Sequence, residues 1–214
     1  MKQKNVGNKK TILTIIALAV FAVAIGVAIA YFVDRTNPID NNVTVGKVDV
    51  KLTEPGYDPD DAKAIEPKEE IDKDPTITNT GKNKAYVYIE VKVPKEEIVL
   101  VLDDQILSDK QVTELFTYNV NPDWEQIDST QGENYNTYVY AYTTKVIDPN
   151  EQTSPLFNKV KFKNVLEGQL SPTKEYIISV KGYAIQSDTI KVVGDTTKEK
   201  MTYIFNNYLK GEGN

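Results

Sequence analysis

The sequence predicts an antiparallel β-sandwich that ends in a short amphipathic helix. Three observations lead there. Seven or more short segments alternate apolar with polar residues and are separated by turn clusters, the pattern of half-buried strands in an all-β sandwich. One of them, Ala85–Val93, alternates without a break, with Ala85, Val87, Ile89, Val91 and Val93 on one face and Tyr86, Tyr88, Glu90 and Lys92 on the other. The period then changes at the end of the chain. There Met201, Ile204, Phe205, Tyr208 and Leu209 recur at helical spacing.

Residues 1–30 read as a signal peptide. Lys2, Lys4, Lys9 and Lys10, with no acid among them, precede an apolar run from Thr11 to Ala30 that closes on Ala28-Ile29-Ala30. The Ala-x-Ala ending places cleavage between Ala30 and Tyr31. A run of this length is also about 30 Å long as a helix, enough to span a bilayer, so a retained anchor stays open beside a cleaved signal. Residues 31–42 follow as an arm with an apolar tip, Tyr31-Phe32-Val33, and a turn-forming remainder that includes Pro38.

The sandwich is expected over residues 43–194. Val43–Leu52 alternates with a phase change at Gly46-Lys47, which reads as a first strand with a bulge. Glu54–Lys73 is rich in proline and acid and reads as a loop outside the core. The run Thr78-Asn79-Thr80-Gly81-Lys82-Asn83 supplies turn chemistry for a hairpin or a sheet-to-sheet connection ahead of Ala85–Val93. The strict alternation of Ala85–Val93 predicts one dry face and one wet face. Glu96–Gln111 fits a strand or a short helix equally. Leu115–Val120 and Trp124–Ile127 read as short strands about Asn121-Pro122. Asn136–Val146 is a strand on which Tyr138, Tyr140 and Tyr142 face away from Val139 and Ala141. Phe157–Phe162 and Tyr176–Ile185 are two more. Residues 195–214 form the helix and tail, with Asp195 or Thr196 as N-cap and Gly211 past the end, packed on the sandwich edge.

Composition excludes several chemistries. The chain has no cysteine and no histidine. That removes disulfide staples, cysteine nucleophiles, Ser-His-Asp triads and the usual zinc ligands. Loss of residues 1–30 takes away four lysines and no acid, so the formal charge moves from −6 to −10. Such a surface does not suit nucleic acid, whose phosphates call for Lys and Arg. No cofactor is expected. Asp58, Asp60 and Asp61 form an acidic turn that is a weak calcium candidate, since hard cations take carboxylate oxygens, but the EF-hand spacing is absent. No carboxylate pair has the spacing that would single it out for glycoside hydrolysis. The 13 tyrosines are expected to pair across strands on a half-exposed face.

Several stretches resemble one known family. These are T-I-L-T-I-I-A-L-A-V from Thr11, A-Y-F-V-D at Ala30–Asp34, N-x-V-T-V-G-K-V-D-V-K-L at Asn41–Leu52, the Asp74–Ile89 run and Y-A-I-Q-S-D at Tyr183–Asp188. Together they resemble the TasA/camelysin family, secreted proteins of Gram-positive bacteria processed by a SipW-type signal peptidase. The resemblance implies a jelly-roll-like version of the sandwich. It also implies a subunit of a biofilm-matrix fibre, which self-assembles head-to-tail, alone or with related matrix subunits, after its signal is removed. Tyr31, Phe32 and Val33 would then lead a donor strand that completes a neighbour's sheet. Camelysin's peptidase activity does not carry over, because an H-E-x-x-H zinc helix cannot exist without histidine. The expectation is a secreted, extracellular, non-enzymatic protein that meets the membrane only through an uncleaved signal. A membrane-anchored binding module is the competing reading.

Overall fold

The structure is a computed structural model that describes residues 49–58, 65–102, 105–171 and 174–210. The signal segment, the arm and the start of the first expected strand lie outside the described residues. Within them the strands run β1 (Val50–Thr53), β2 (Glu70–Asp72), β3 (Thr76–Asn79), β4 (Ala85–Ile98), β5 (Gln111–Glu114), β6 (Phe116–Tyr118), β7 (Trp124–Gln131), β8 (Tyr135–Tyr142), β9 (Lys159–Phe162) and β10 (Ser179–Gln186). A helix, α1 (Thr197–Ile204), follows and widens into a π-type turn over Phe205–Leu209. Every strand pair is antiparallel. The all-β class with a C-terminal helix, expected from the sequence, is the one observed.

The main sheet has the order β10-β4-β8-β7, with β5 joined to the far end of β4. A three-stranded sheet, β2-β9-β6, and a two-stranded one, β1-β3, supply the opposing layer. Val50, Leu52, Ile71, Ile77, Phe116, Val160 and Phe162 from that layer share one core with Val87, Ile89, Val91, Tyr140 and Val180 of the main sheet. The layers meet closely over β10. A Cβ on Gly182 would lie 3.5 Å from Leu52 Cβ and 3.4 Å from Ile77 Cδ1. The Thr78–Asn83 turn is the sheet-to-sheet connection, since β3 pairs with β1 and β4 with β8 and β10. Asn79 is fully buried there and satisfied. Its Nδ2 donates to the carbonyls of Asn83 (2.8 Å) and Ile147 (3.0 Å), and its Oδ1 accepts from Gly81 N (3.0 Å).

Three expectations are corrected. The second face of β4 is dry at its start, because α1 lies across the face of the main sheet and not on an edge of the sandwich. Tyr88, Val139, Ala141, Tyr183 and Ile185 form a second core with Met201, Ile204, Phe205 and Leu209. Tyr138 and Tyr140 stand opposite Val91 and Ile89 in the register, so they point into the main core beside the aliphatics. Val139 and Ala141 point to the helix. The Glu54–Lys73 segment is not all surface: Ile71 and Lys73 are buried, and Glu70–Asp72 is a strand.

The helix start is fixed by a capping box. Thr196 Oγ1 accepts from Glu199 N at 3.2 Å, and the Glu199 carboxylate accepts from Thr196 N at 3.0 Å. The central buried tyrosine then finds a partner in the helix, Tyr88 Oη donating to the Met201 carbonyl at 3.2 Å.

Candidate assembly edge

β4 changes partners near Pro94. Pro94 stands opposite Tyr135, the last pair in its register with β8, and Lys95 N still donates to Asn134 O at 2.9 Å. From Lys95 the strand takes a new neighbour, β5, in the register Lys95↔Glu114 to Ile98↔Gln111. Beyond Ile98 the chain continues as a hairpin. Ser108 N donates to Leu100 O at 2.9 Å and Leu102 N to Ile106 O at 2.7 Å, with a bridge between Val101 and Leu107. The inner limb is tied to the body by Val101 N to Asn164 O, 2.8 Å, and Leu166 N to Val99 O, 3.0 Å.

The outer limb has no such tie. Among the described residues β5 pairs with β4 alone, so the alternate N–H and C=O groups that point away from β4 have no main-chain partner there. The same hairpin carries Leu102, Ile106, Leu107 and Val112, exposed at 47, 60, 53 and 60%. An open strand edge beside exposed apolar side chains is the feature that soluble β-proteins normally suppress.

Two other edges are guarded. β7, at the end of the main sheet, is bulged between Gln126 and Asp128, and ion pairs bind it to the helical segment: Lys198–Glu125 at 3.3 Å and Lys210–Asp128 at 2.7 Å. β2 is three residues long and flanked by charge, with Lys159 and Lys161 within 4.0 Å of Glu70. These are the devices that keep edges from pairing.

A polar cluster stands at the base of β5. Glu114 Oε1 accepts from Asn136 Nδ2 (2.7 Å) and from Tyr138 Oη (2.5 Å), while Tyr118 and Tyr140 share a hydrogen bond at 3.0 Å. Burial, reinforced by the Glu114 bond, pushes the Tyr138 phenol up to about 12. Lys163 Nζ donates to Thr113 Oγ1 at 2.8 Å, and burial holds its ammonium below the usual lysine range. Neutral phenols and anchored amides make this a rigid seat for the strand.

Of the residues singled out from sequence, Ala28, Ala30, Tyr31, Phe32 and Val33 lie outside the described residues, as do Asp60 and Asp61. Asp58 is described, at the end of the turn that follows β1. No group of three or more carboxylates that could hold a metal occurs among the described residues. The root of the acidic loop is closed by a protein cation. Lys73 Nζ lies 2.8 Å from both Glu54 carboxylate oxygens and 4.7 Å from the centre of the Tyr57 ring. Gly56 N donates to Asp74 Oδ1 at 2.8 Å.

Sequence reasoning missed the β5 edge. The one signal was the run Ile98-Val99-Leu100-Val101-Leu102, apolar at both parities and followed by Asp103-Asp104, which no half-buried strand requires. Among the described residues no helix is long and apolar enough to cross a membrane. The class of protein defined here is a cysteine-free antiparallel sandwich, helix-covered on one face, with an exposed apolar strand edge at β5 among the described residues. Compared with family models, with curated proteins and with solved structures, the chain matches none.

Proposed function

We propose that this chain is a secreted structural subunit that assembles by strand addition into an extracellular biofilm-matrix fibre, as its resemblance to the TasA/camelysin family implies. The observation that supports the reading is the β5 edge: an unpaired strand margin, among the described residues, with four exposed apolar neighbours. An incoming strand satisfies such an edge through main-chain hydrogen bonds, and side chains give it specificity. Donation by one end of a subunit to another part of the next does not close, so it propagates as a filament.

The donor in this reading is the arm, residues 31–42, freed when a SipW-type peptidase cuts after Ala30. Burying Tyr31, Phe32 and Val33 contributes about 1.5–3 kcal/mol each, gross. Each new backbone bond adds about 0.5–1.5 kcal/mol net. Association entropy offsets several kcal/mol of that sum. A chain without histidine or cysteine is suited to scaffolding more than to the common hydrolytic chemistries.

The test uses the mature chain beginning at Tyr31 and the same chain lacking residues 31–42. Electron microscopy should show filaments for the first only, and circular dichroism should show the same β-type spectrum for both. Filaments of normal width from the shortened chain would refute arm donation. Recovery from culture of full-length, membrane-bound protein only would favour the anchored binding module instead.

A further inference from the structure

We propose that the acceptor is the outer limb of the hairpin, Leu107–Glu114, and that it receives the Tyr31–Asn37 segment of a second copy. This rests on the donor-arm reading above and names the surface that reading needs.

Three observations converge on it. The limb is the one place among the described residues where a strand margin without a second main-chain neighbour coincides with a cluster of exposed apolar side chains. A bulge and ion pairs guard the margin of β7, whereas β5, itself short and carrying the Lys110–Glu97 pair at 3.0 Å, is set apart by its exposed apolar side chains. The lengths are compatible. Seven residues, Tyr31–Asn37, precede Pro38, whose missing N–H ends a ladder, and the limb is eight residues long, of which Gln111–Glu114 are strand. Finally, the chemistry matches. The arm is apolar at Tyr31-Phe32-Val33 and polar behind, and the limb is apolar at Leu107 and Val112 with Glu114 held in the polar cluster at its base. In an extended arm Tyr31 and Val33 share one face and Phe32 takes the other, so both faces of the added strand carry apolar surface.

An added strand here extends the sheet that β4 already anchors. Val87, Ile89, Val91 and Val93 of β4 are buried in the main core, and β5 hydrogen-bonds directly to its continuation. The body of the acceptor therefore needs no rearrangement to receive it.

The chain has no cysteine, so single introduced thiols report contacts without background. Mature chains carrying Phe32→Cys are mixed with chains carrying Val112→Cys and oxidised during assembly. A reducible dimer joining the two species is expected, and the double variant should give a ladder of covalent multimers. A Val112→Lys variant, changed at an exposed position, should lose filaments while keeping its melting temperature, because a charge now stands in the margin. Filaments in which Phe32→Cys cross-links instead to Lys181→Cys in β10, or to Glu125→Cys in β7, would overturn the acceptor and leave the donor arm standing. Self-linked Val112→Cys dimers with an idle arm thiol would show β5 edges pairing with each other. A cyclised monomer of the double variant would place the arm on its own chain's edge. Filaments with no arm cross-link at any position would overturn donor and acceptor together.

Discussion

Tyr88 shows how one side chain can join two layers. It is fully buried, packs at a tilt against Phe205 with ring centres 5.5 Å apart, and donates its hydroxyl to the helix backbone. Burial pushes its phenol far above the ordinary value, does the same for Tyr118, and raises Tyr138 to about 12. In the unfolded chain these groups ionise near 10. Below that pH both states are protonated and the contribution is complete. Above it the unfolded chain releases protons that the fold retains, so stability falls as pH rises from about 10 toward 12 and beyond. Melting temperature followed against pH, with tyrosinate absorbance as the second probe, should show phenol ionisation and unfolding together. Tyr88→Phe should lose about 0.5–1.5 kcal/mol in a urea titration, the net worth of one hydrogen bond. Lys73 poses the opposite case, a charge inside. Its side chain and that of Glu54 are 6 and 9% exposed. Lys73→Met strands the carboxylate and should lose about 3–5 kcal/mol, while the double change with Glu54→Leu should recover most of it. An equal loss in the double variant would show packing, not charge, at fault.

At the scale of elements the informative one is α1. Met201, Ile204, Phe205 and Leu209 are buried on the main sheet, and at about 1.5–3 kcal/mol each they outweigh any intrinsic preference of so short a helix. Ending the chain at Val193 should expose Tyr88, Tyr183 and Ile185, raise binding of a hydrophobic dye and lower the urea midpoint sharply. Thr196→Ala, which removes only the cap, should lose about 1 kcal/mol. The helix itself was legible in the sequence, because a three-to-four spacing has few other readings. Its position was not, because the contact that fixes it joins residues 113 apart, Tyr88 and Met201. Tyrosine misled twice for a physical reason. With an apolar ring and a polar tip it satisfies the wet half of an alternating pattern while being able to fill a core. On β4 it lies dry beneath the helix, and on β8 it lies dry within the sandwich. The β5 edge escaped because apolar residues at both parities give no phase, and phase is what tells a strand's faces apart. The arm was read from residue type alone.

For the whole molecule, charge and edge act in opposite directions. Subunits that begin at Tyr31 carry a formal −10 and repel one another, whereas the proposed contact is apolar and main-chain. Screening should therefore speed elongation. Light scattering of the mature chain should grow faster as salt rises from about 0.01 to 0.15 M, over which the Debye length falls from about 30 to 8 Å. Slower growth would mean that attraction between charges guides docking. The fourteen residues of β4 have a further meaning for the proposed fibre under traction. β4 hydrogen-bonds to β5 beyond Pro94, and to β8 and β10 before it. Tension entering through β5 runs lengthwise along β4 and shears it against both neighbours at once. Many bonds must then yield together instead of peeling one by one, so the subunit resists traction along that strand far better than across it.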